Sequence, residues 1–293
     1  MWADSLTEAE VDGTLSAADQ LVFVSWAAPL LKRINPILDR LRIGKHNREL
    51  YRKNPLMPSE KSFLFEIRFA HSLAMAGVTA KYEHSTVEGN TTLDFKVNLE
   101  PPWLVELVSL HESEAFKNAS WTSGAWQGFM LSTKATDARE SEEGEILKAQ
   151  ERIGSKLCDE KQKPIKFPKP SGAIHLLMVD ARGFLGDGQG DKADWHQIAY
   201  GPHGLKDHFI RFWTNPKTGR RAPIRGLFEQ DCPLPASRII QERLHVIGFV
   251  CERTFEPGEI KERAFYCCNP ALFENEEKVR TVMSHWPLIR MTL

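Results

Sequence analysis

The sequence predicts an α/β fold in which a mixed β-sheet carries helices on both faces, preceded by an N-terminal helical extension. Three observations support this. Apolar residues recur at helical spacing early in the chain, at Leu21, Val24, Ala28, Leu31, Ile34 and Leu38, and again at Phe63, Ile67, Ala70, Leu73 and Ala74. Short runs bounded by turn residues, among them Trp103 to Leu110 and Ala173 to Ala181, have the length and apolar character of buried strands. The two kinds of segment alternate as helix, three strands, helix, strand, long insertion and two strands, and a sheet with helices on both faces buries them together.

The first helix is expected over Ala17 to Leu41, broken or kinked at Pro29 and Pro36. A basic connection, Arg42 to Lys53, leads through Pro55 and Pro58 to a second helix that starts at Ser59 and stops at Gly77. Strands follow over Val78 to Ser85 and Thr91 to Leu99, joined by hairpin-turn chemistry at Glu88-Gly89-Asn90. Pro101-Pro102 separates them from the strand Trp103 to Leu110. The segment His111 to Glu143 shows no clear period and reads as a long excursion. A helix over Glu145 to Lys161, a Lys/Pro-rich link from Lys163 to Pro170 and the strand Ala173 to Ala181 come next. A Gly/Asp loop from Phe184, a short helix over Asp191 to Ala199, strands at Leu244 to Arg253 and Ala264 to Cys268, and a helix around Glu274 to His285 complete the chain. The expected division is a helical extension over 1–57 and a core domain over 58–293.

Composition narrows the function classes. With 42% hydrophobic and 26% charged residues, 293 residues suffice for a large core. The net charge of -1 gives no global basic excess, so a nucleic-acid site must be a local basic patch. The five cysteines are odd in number and form no Cys-x-x-Cys, which argues against a disulfide framework or zinc site and for reduced thiols in the cytoplasm. The N-terminus lacks the basic start and apolar run of a secretory signal. The apolar segment Leu21 to Leu31 is too short to span a bilayer, so no membrane role is expected.

Three acids carry the chemistry. Glu106 lies within Trp103-Leu-Val-Glu-Leu-Val-Ser-Leu110, where an ionised carboxylate needs a cation or strong donors. Asp94 heads the preceding strand in Thr91-Thr-Leu-Asp-Phe-Lys-Val, and Glu66 interrupts the apolar pattern of the helix before that. Acids at semi-buried positions on three consecutive elements suggest convergence on a hard cation.

Glu in the first core helix, Asp at the head of a strand and Glu within the next apolar strand resemble the PD-(D/E)XK, or restriction-endonuclease-like, superfamily, over Glu66 to about Ala181. The resemblance implies a restriction-endonuclease-like sheet and a metal-dependent nuclease. It implies Asp94, Glu106 and Glu66 as ligands of Mg²⁺ or Mn²⁺, with the Leu107 carbonyl a further candidate, and DNA as the partner. The sequence departs from the pattern at Leu93, where the family has Pro, and at Val108, where its motif has the catalytic Lys.

Three lysines are candidates to replace it. Lys96 shares a strand face with Asp94. On the helix that begins at Glu145, Ile146, Ile153 and Leu157 form the apolar stripe with Gln150 on the same side. Lys148 falls opposite that stripe and Lys156 on its shoulder. Lys156 is favoured, with Lys96 second and Gln150 as a polar helper near the scissile phosphate. The bland alternatives are a snorkelling Lys156 and a solvated or salt-bridged Glu66.

Other features point less far. Gly186-Asp-Gly-Gln-Gly-Asp191 lacks the ending of a P-loop, and His196, His203 and His208 lack metal-ligand spacing. Two basic stretches offer phosphate contacts: Lys156, Lys161, Lys163, Lys166 and Lys169, and Arg211, Lys217, Arg220, Arg221 and Arg225 with Phe209, Phe212 and Trp213 interleaved. The expected function is a metal-dependent nuclease. The alternatives are a non-catalytic binding or scaffold module of the same fold and an α/β enzyme acting on a small molecule.

Overall fold

The computed structural model describes residues 6–85, 91–111, 120–123, 126–129, 142–184, 191–215 and 218–290. Two helices, not one, open the chain. In α1 (Glu8–Leu21) the Thr7 hydroxyl accepts from the Glu10 N–H at 3.0 Å and caps the helix. In α2 (Ala28–His46) Pro29 lies in the first turn, where a missing N–H costs nothing. Pro29 therefore starts a helix, where a break was expected, and Pro36 is carried inside it. The expected connection after Arg42 contains a short helix, α3 (Arg48–Lys53), capped by Asn47. Next comes α4 (Pro58–Met75), which ends at Gly77 with φ of +71°.

One six-stranded mixed sheet organises the molecule. Its strands are β1 (Ala80–Ser85), β2 (Thr92–Val97), β3 (Trp103–Ser109), β6 (Ile174–Asp180), β9 (Val246–Val250) and β10 (Phe265–Cys268), adjacent in that order. Strand β2 runs antiparallel to both its neighbours, β1 and β3, while β3, β6 and β9 run parallel and β10 returns antiparallel to β9. All residues of β3, β6 and β9 are buried, as expected of parallel strands covered on both faces. The crossover from β3 to β6 contains the ribbon of β4 (Ser120–Ser123) and β5 (Trp126–Phe129) and then α5 (Glu142–Leu157). The crossover from β6 to β9 contains α6 (Lys192–Tyr200), the hairpin of β7 (Phe212–Thr214) and β8 (Arg221–Pro223), and α7 (Ser237–Arg243). The β7–β8 hairpin and α7 had no counterpart in the sequence reading. After β9 come α8 (Glu259–Arg263) and, after β10, α9 (Glu276–Ser284). The Glu88-Gly89-Asn90 turn, Lys217 and most of the loops around 112–141 and 185–190 lie outside the described residues.

Each face of the sheet has its own apolar cluster. On one, Leu30, Ile34, Leu38 and Leu41 of α2 pack with Phe65 and Phe69 of α4, Phe95, Trp103, Met178 and, beyond α9, Trp286. The helices before residue 58 thus share a core with the sheet. On the other face Ile146, Ile153 and Leu157 of α5 and Trp195 and Ile198 of α6 cover Leu104, Val108, Leu177 and Phe249.

A buried ion network closes the carboxyl ends of β6 and β9. Arg68 of α4 donates through Nε to both Glu252 oxygens (3.1 and 3.0 Å) and through Nη1 to Thr14 of α1 at 2.8 Å. Arg182 bridges Asp180 and Glu10. Phe255, at φ of +59°, lies about midway, 5.1 and 5.2 Å from the two guanidinium carbons. A side chain at Gly13 would meet the Phe255 carbonyl at 2.4 Å, so glycine there lets α1 close on this loop.

Two predictions follow from this packing. Trp286 stacks on Trp103 with ring centroids 4.5 Å apart, and its indole N–H donates to the Tyr266 hydroxyl at 2.8 Å. Trp286→Ala is expected to lower the free energy of unfolding by about 3–5 kcal/mol in denaturant titrations. His175 Nδ1 donates to the Arg243 carbonyl, and His245 Nδ1 accepts from the His175 N–H, so the His245 ring is neutral with its proton on Nε2. Burial lowers both pKa values to about 4. The unfolded chain therefore binds protons that the folded chain refuses, and stability falls as pH drops from about 6.5 towards 4. Relative to a His175→Asn/His245→Asn variant, the wild type should lose unfolding free energy across that window.

Candidate functional site

The site lies where β2 and β3 separate. Their ladder pairs Val97 with Trp103, Lys96 with Leu104 and Phe95 with Val105, and ends before Asp94 would meet Glu106. Side chains take over at that point. The Leu107 N–H donates to Asp94 Oδ2 at 2.7 Å, and the Asp94 N–H donates to Glu106 Oε2 at 3.3 Å. On the other side of β2, Tyr82 pairs with Phe95 and His84 with Leu93, and Glu83 between them takes φ of +50°. Strand β2 turns over opposite Glu83, with the register kept: Phe95 and Val97 pack in one apolar cluster and Leu93 in the other. Asp94 is the residue at the turnover.

Glu106 has no solvent exposure, and two ammonium groups answer its charge. Lys156 Nζ, from the last turn of α5, and Lys166 Nζ, from the link to β6, each stand 2.9 Å from Oε1. Lys166 also donates to the Thr92 carbonyl at 2.7 Å. Glu66, on the buried side of α4, accepts from the Tyr82 hydroxyl at 2.8 Å, and that hydroxyl accepts from Arg33 Nη1 at 3.0 Å. Arg33 belongs to α2 and also pairs with Glu83.

The electrostatics are those of crowded buried acids. Burial, then the neighbouring Asp94 carboxylate, pushes Glu66 up to about 8 and Glu106 up to about 7. Burial also raises Asp94, against the pull of Lys156, the Leu107 amide and Lys166. Burial disfavours the Lys156 ammonium, but Glu106, Asp94 and Glu66 outweigh it and its pKa rises. An arrangement that raises three acids while holding Lys156 charged can accept a cation or present a charged donor to an anion.

Of the residues singled out in the sequence, Glu66, Asp94, Glu106 and Lys156 are brought together. Lys148 is instead paired with Glu145 on its own helix at 2.8 Å. Lys96 lies near His84 and helps lower that ring's pKa, after burial. Gln150 does not join the acids: its Nε2 donates to the Ile198 and Arg225 carbonyls, fastening α5 to α6 and to the segment after β8. The expected role of Gln150 beside a phosphate is corrected to this structural one. Sequence reading missed Arg33 and Tyr82, and took Lys166 only as part of a basic stretch. Among the described residues no group of three or more His, Cys, Asp or Glu side chains is gathered as a metal cage.

No protein-family model matches the chain, and no curated protein or solved structure matches it either. No single described helix is long and apolar enough to cross a membrane.

Gln150→Ala separates packing from chemistry. It is expected to cost about 1–2 kcal/mol in thermal or denaturant unfolding, because the Arg225 carbonyl loses a buried donor.

Proposed function

We propose that the chain is a metal-dependent nuclease of the PD-(D/E)XK type that hydrolyses phosphodiester bonds in DNA. In this reading Asp94 and Glu106 hold Mg²⁺ or Mn²⁺, Glu66 assists from α4, and Lys156 replaces the lysine absent at Val108. The observation that carries it is the meeting of Asp94, Glu106 and Lys156, which arrive from β2, β3 and α5, with Lys156 Nζ 2.9 Å from Glu106 Oε1.

The donor set suits a hard cation. Mg²⁺ is held by one or two carboxylates and keeps several waters, so it needs no closed protein cage. When bound, such an ion supplies Lewis-acid polarisation of a phosphate and acidifies water. The chain's own residues do the rest. Asp94 and Glu106 are locked in place by the backbone amides of Leu107 and Asp94. Lys156 is the more exposed lysine, 31% against 15% for Lys166. It is therefore the one assigned to orient the attacking water or to donate to a phosphate oxygen. Lys166, tied also to the Thr92 carbonyl, remains to balance Glu106.

A second reading, a non-catalytic module of the same fold, is favoured by Val108 and by the engagement of both lysines on Glu106. Incubation of plasmid, linear and single-stranded DNA with Mg²⁺ or Mn²⁺ separates the two. The nuclease reading expects cleavage that Asp94→Ala abolishes. Lys156→Ala should slow cleavage by about 10²–10⁴-fold, in the range of acid–base groups. A folded wild type that neither cuts any of these substrates nor binds Mn²⁺ would transfer the assignment to the non-catalytic module.

A further inference from the structure

Arg33 has no part in the acid pattern, yet the fold places it at the same site. It comes from α2, and its guanidinium carbon stands 4.9 Å from the Phe63 ring centroid and 6.0 Å from that of Tyr82. These two rings fix the position of a group whose side chain is 44% exposed. Only Nη1 is engaged, with the Tyr82 hydroxyl and with Glu83. Nε and Nη2 make no hydrogen bond among the described residues. The Tyr82 hydroxyl donates onward to Glu66, and the Arg33 charge helps restrain the pKa of both Glu66 and Asp94. A fixed, half-exposed arginine with two donors to spare thus lies beside an acid cluster that would by itself repel a polyanion.

We propose that Arg33 binds a backbone phosphate of the nucleic acid next to the reacting one, and that Glu83 competes with that phosphate for the guanidinium. This deepens the nuclease reading and rests on it. Arginine suits the task because its planar fork can hold a phosphate through two N–H groups, which a lysine cannot do. Glu83 suits the competing role. Its carboxylate is 45% exposed, its backbone is held in the left-handed region, and it faces the same Nη1. In the free protein Glu83 keeps the fork from swinging away, and a phosphate replaces it when substrate arrives. The N-terminal helices would then be part of the substrate-binding surface as well as the core.

Two variants of opposite sign test this. Binding of a short fluorescein-labelled DNA duplex is measured by anisotropy over a series of salt concentrations, with Ca²⁺ as a cation that occupies carboxylate sites. Mn²⁺ affinity is measured in parallel by calorimetry without DNA. Arg33→Ala should weaken duplex binding by about tenfold, the size of one charged hydrogen-bonded contact. It should also reduce the slope of log affinity against log salt by about 0.9, because one phosphate contact is lost. Arg33→Lys should restore the slope but only part of the affinity. Glu83→Gln should tighten duplex binding, and Glu83→Gln and the charge-conserving Arg33→Lys should keep wild-type Mn²⁺ affinity. Unchanged affinity and salt slope in Arg33→Ala, or no gain in Glu83→Gln, would overturn the proposal while metal-dependent cleavage stands. If Arg33→Ala does not fold, Glu83→Gln decides alone. A wild type that binds neither the duplex nor Mn²⁺ would remove the nuclease reading and this proposal together.

Discussion

A carboxylate sealed in the middle of a sheet is the constraint around which this molecule is arranged. Glu106 is fully buried within a strand whose other residues are also buried, and an uncompensated charge there would cost several kcal/mol. Its compensation comes from far along the chain. Lys156 must arrive at the end of α5 and Lys166 on the link to β6, while the Asp94 N–H must be released from the β-ladder to reach Glu106. The long crossover between β3 and β6, the early end of the β2–β3 ladder and the left-handed backbone at Glu83 are all consistent with that requirement.

The second buried ionic system has a different character. Arg68, Arg182, Glu10, Asp180 and Glu252 are joined by bidentate and charge-assisted bonds and closed over by Phe255. Arg182 holds Asp180 below the ordinary carboxylate range despite its burial, whereas burial raises Glu252 against the pull of Arg68 and Arg182. At the Glu106 site Glu66 and Glu106 are both raised, and the cations facing Glu106 are lysines. One network fastens α1 and α4 to the sheet through arginines, whereas the other ties α5 and the link before β6 to β3 through lysines.

How much of this could be read from the sequence depended on the kind of signal each residue carries. Glu66, Asp94 and Glu106 stood out because an acid interrupting an apolar pattern is visible without a structure. Lys156 could be separated from Lys148 because helical phase alone puts one on the shoulder of the buried stripe. Gln150 was placed correctly on the buried side, yet a polar residue there looks the same whether it serves a ligand or two backbone carbonyls. Lys166 lies in a link with no period to fix its direction. Tyr82 reads as an ordinary strand aromatic. Arg33 reaches the site only through the packing of α2 against the sheet, a long-range fact with no local trace. The break between α1 and α2 was misread for a related reason, since a proline that starts a helix and one that stops a helix look alike within an apolar run.

The order in which the first apolar cluster is assembled bears on how the chain can be made. That cluster joins Leu6 and Val11 to Trp286 and Leu288, with β6 and β9 between them in sequence. Most of that cluster lies before residue 110, so α1, α2 and α4 can pack on one another and on β3 early in synthesis, while the places of Met178, Val246, Val250 and Trp286 are filled late. Until β6 arrives, the free edge of β3 is an unpaired strand, the condition in which nascent proteins aggregate or engage chaperones.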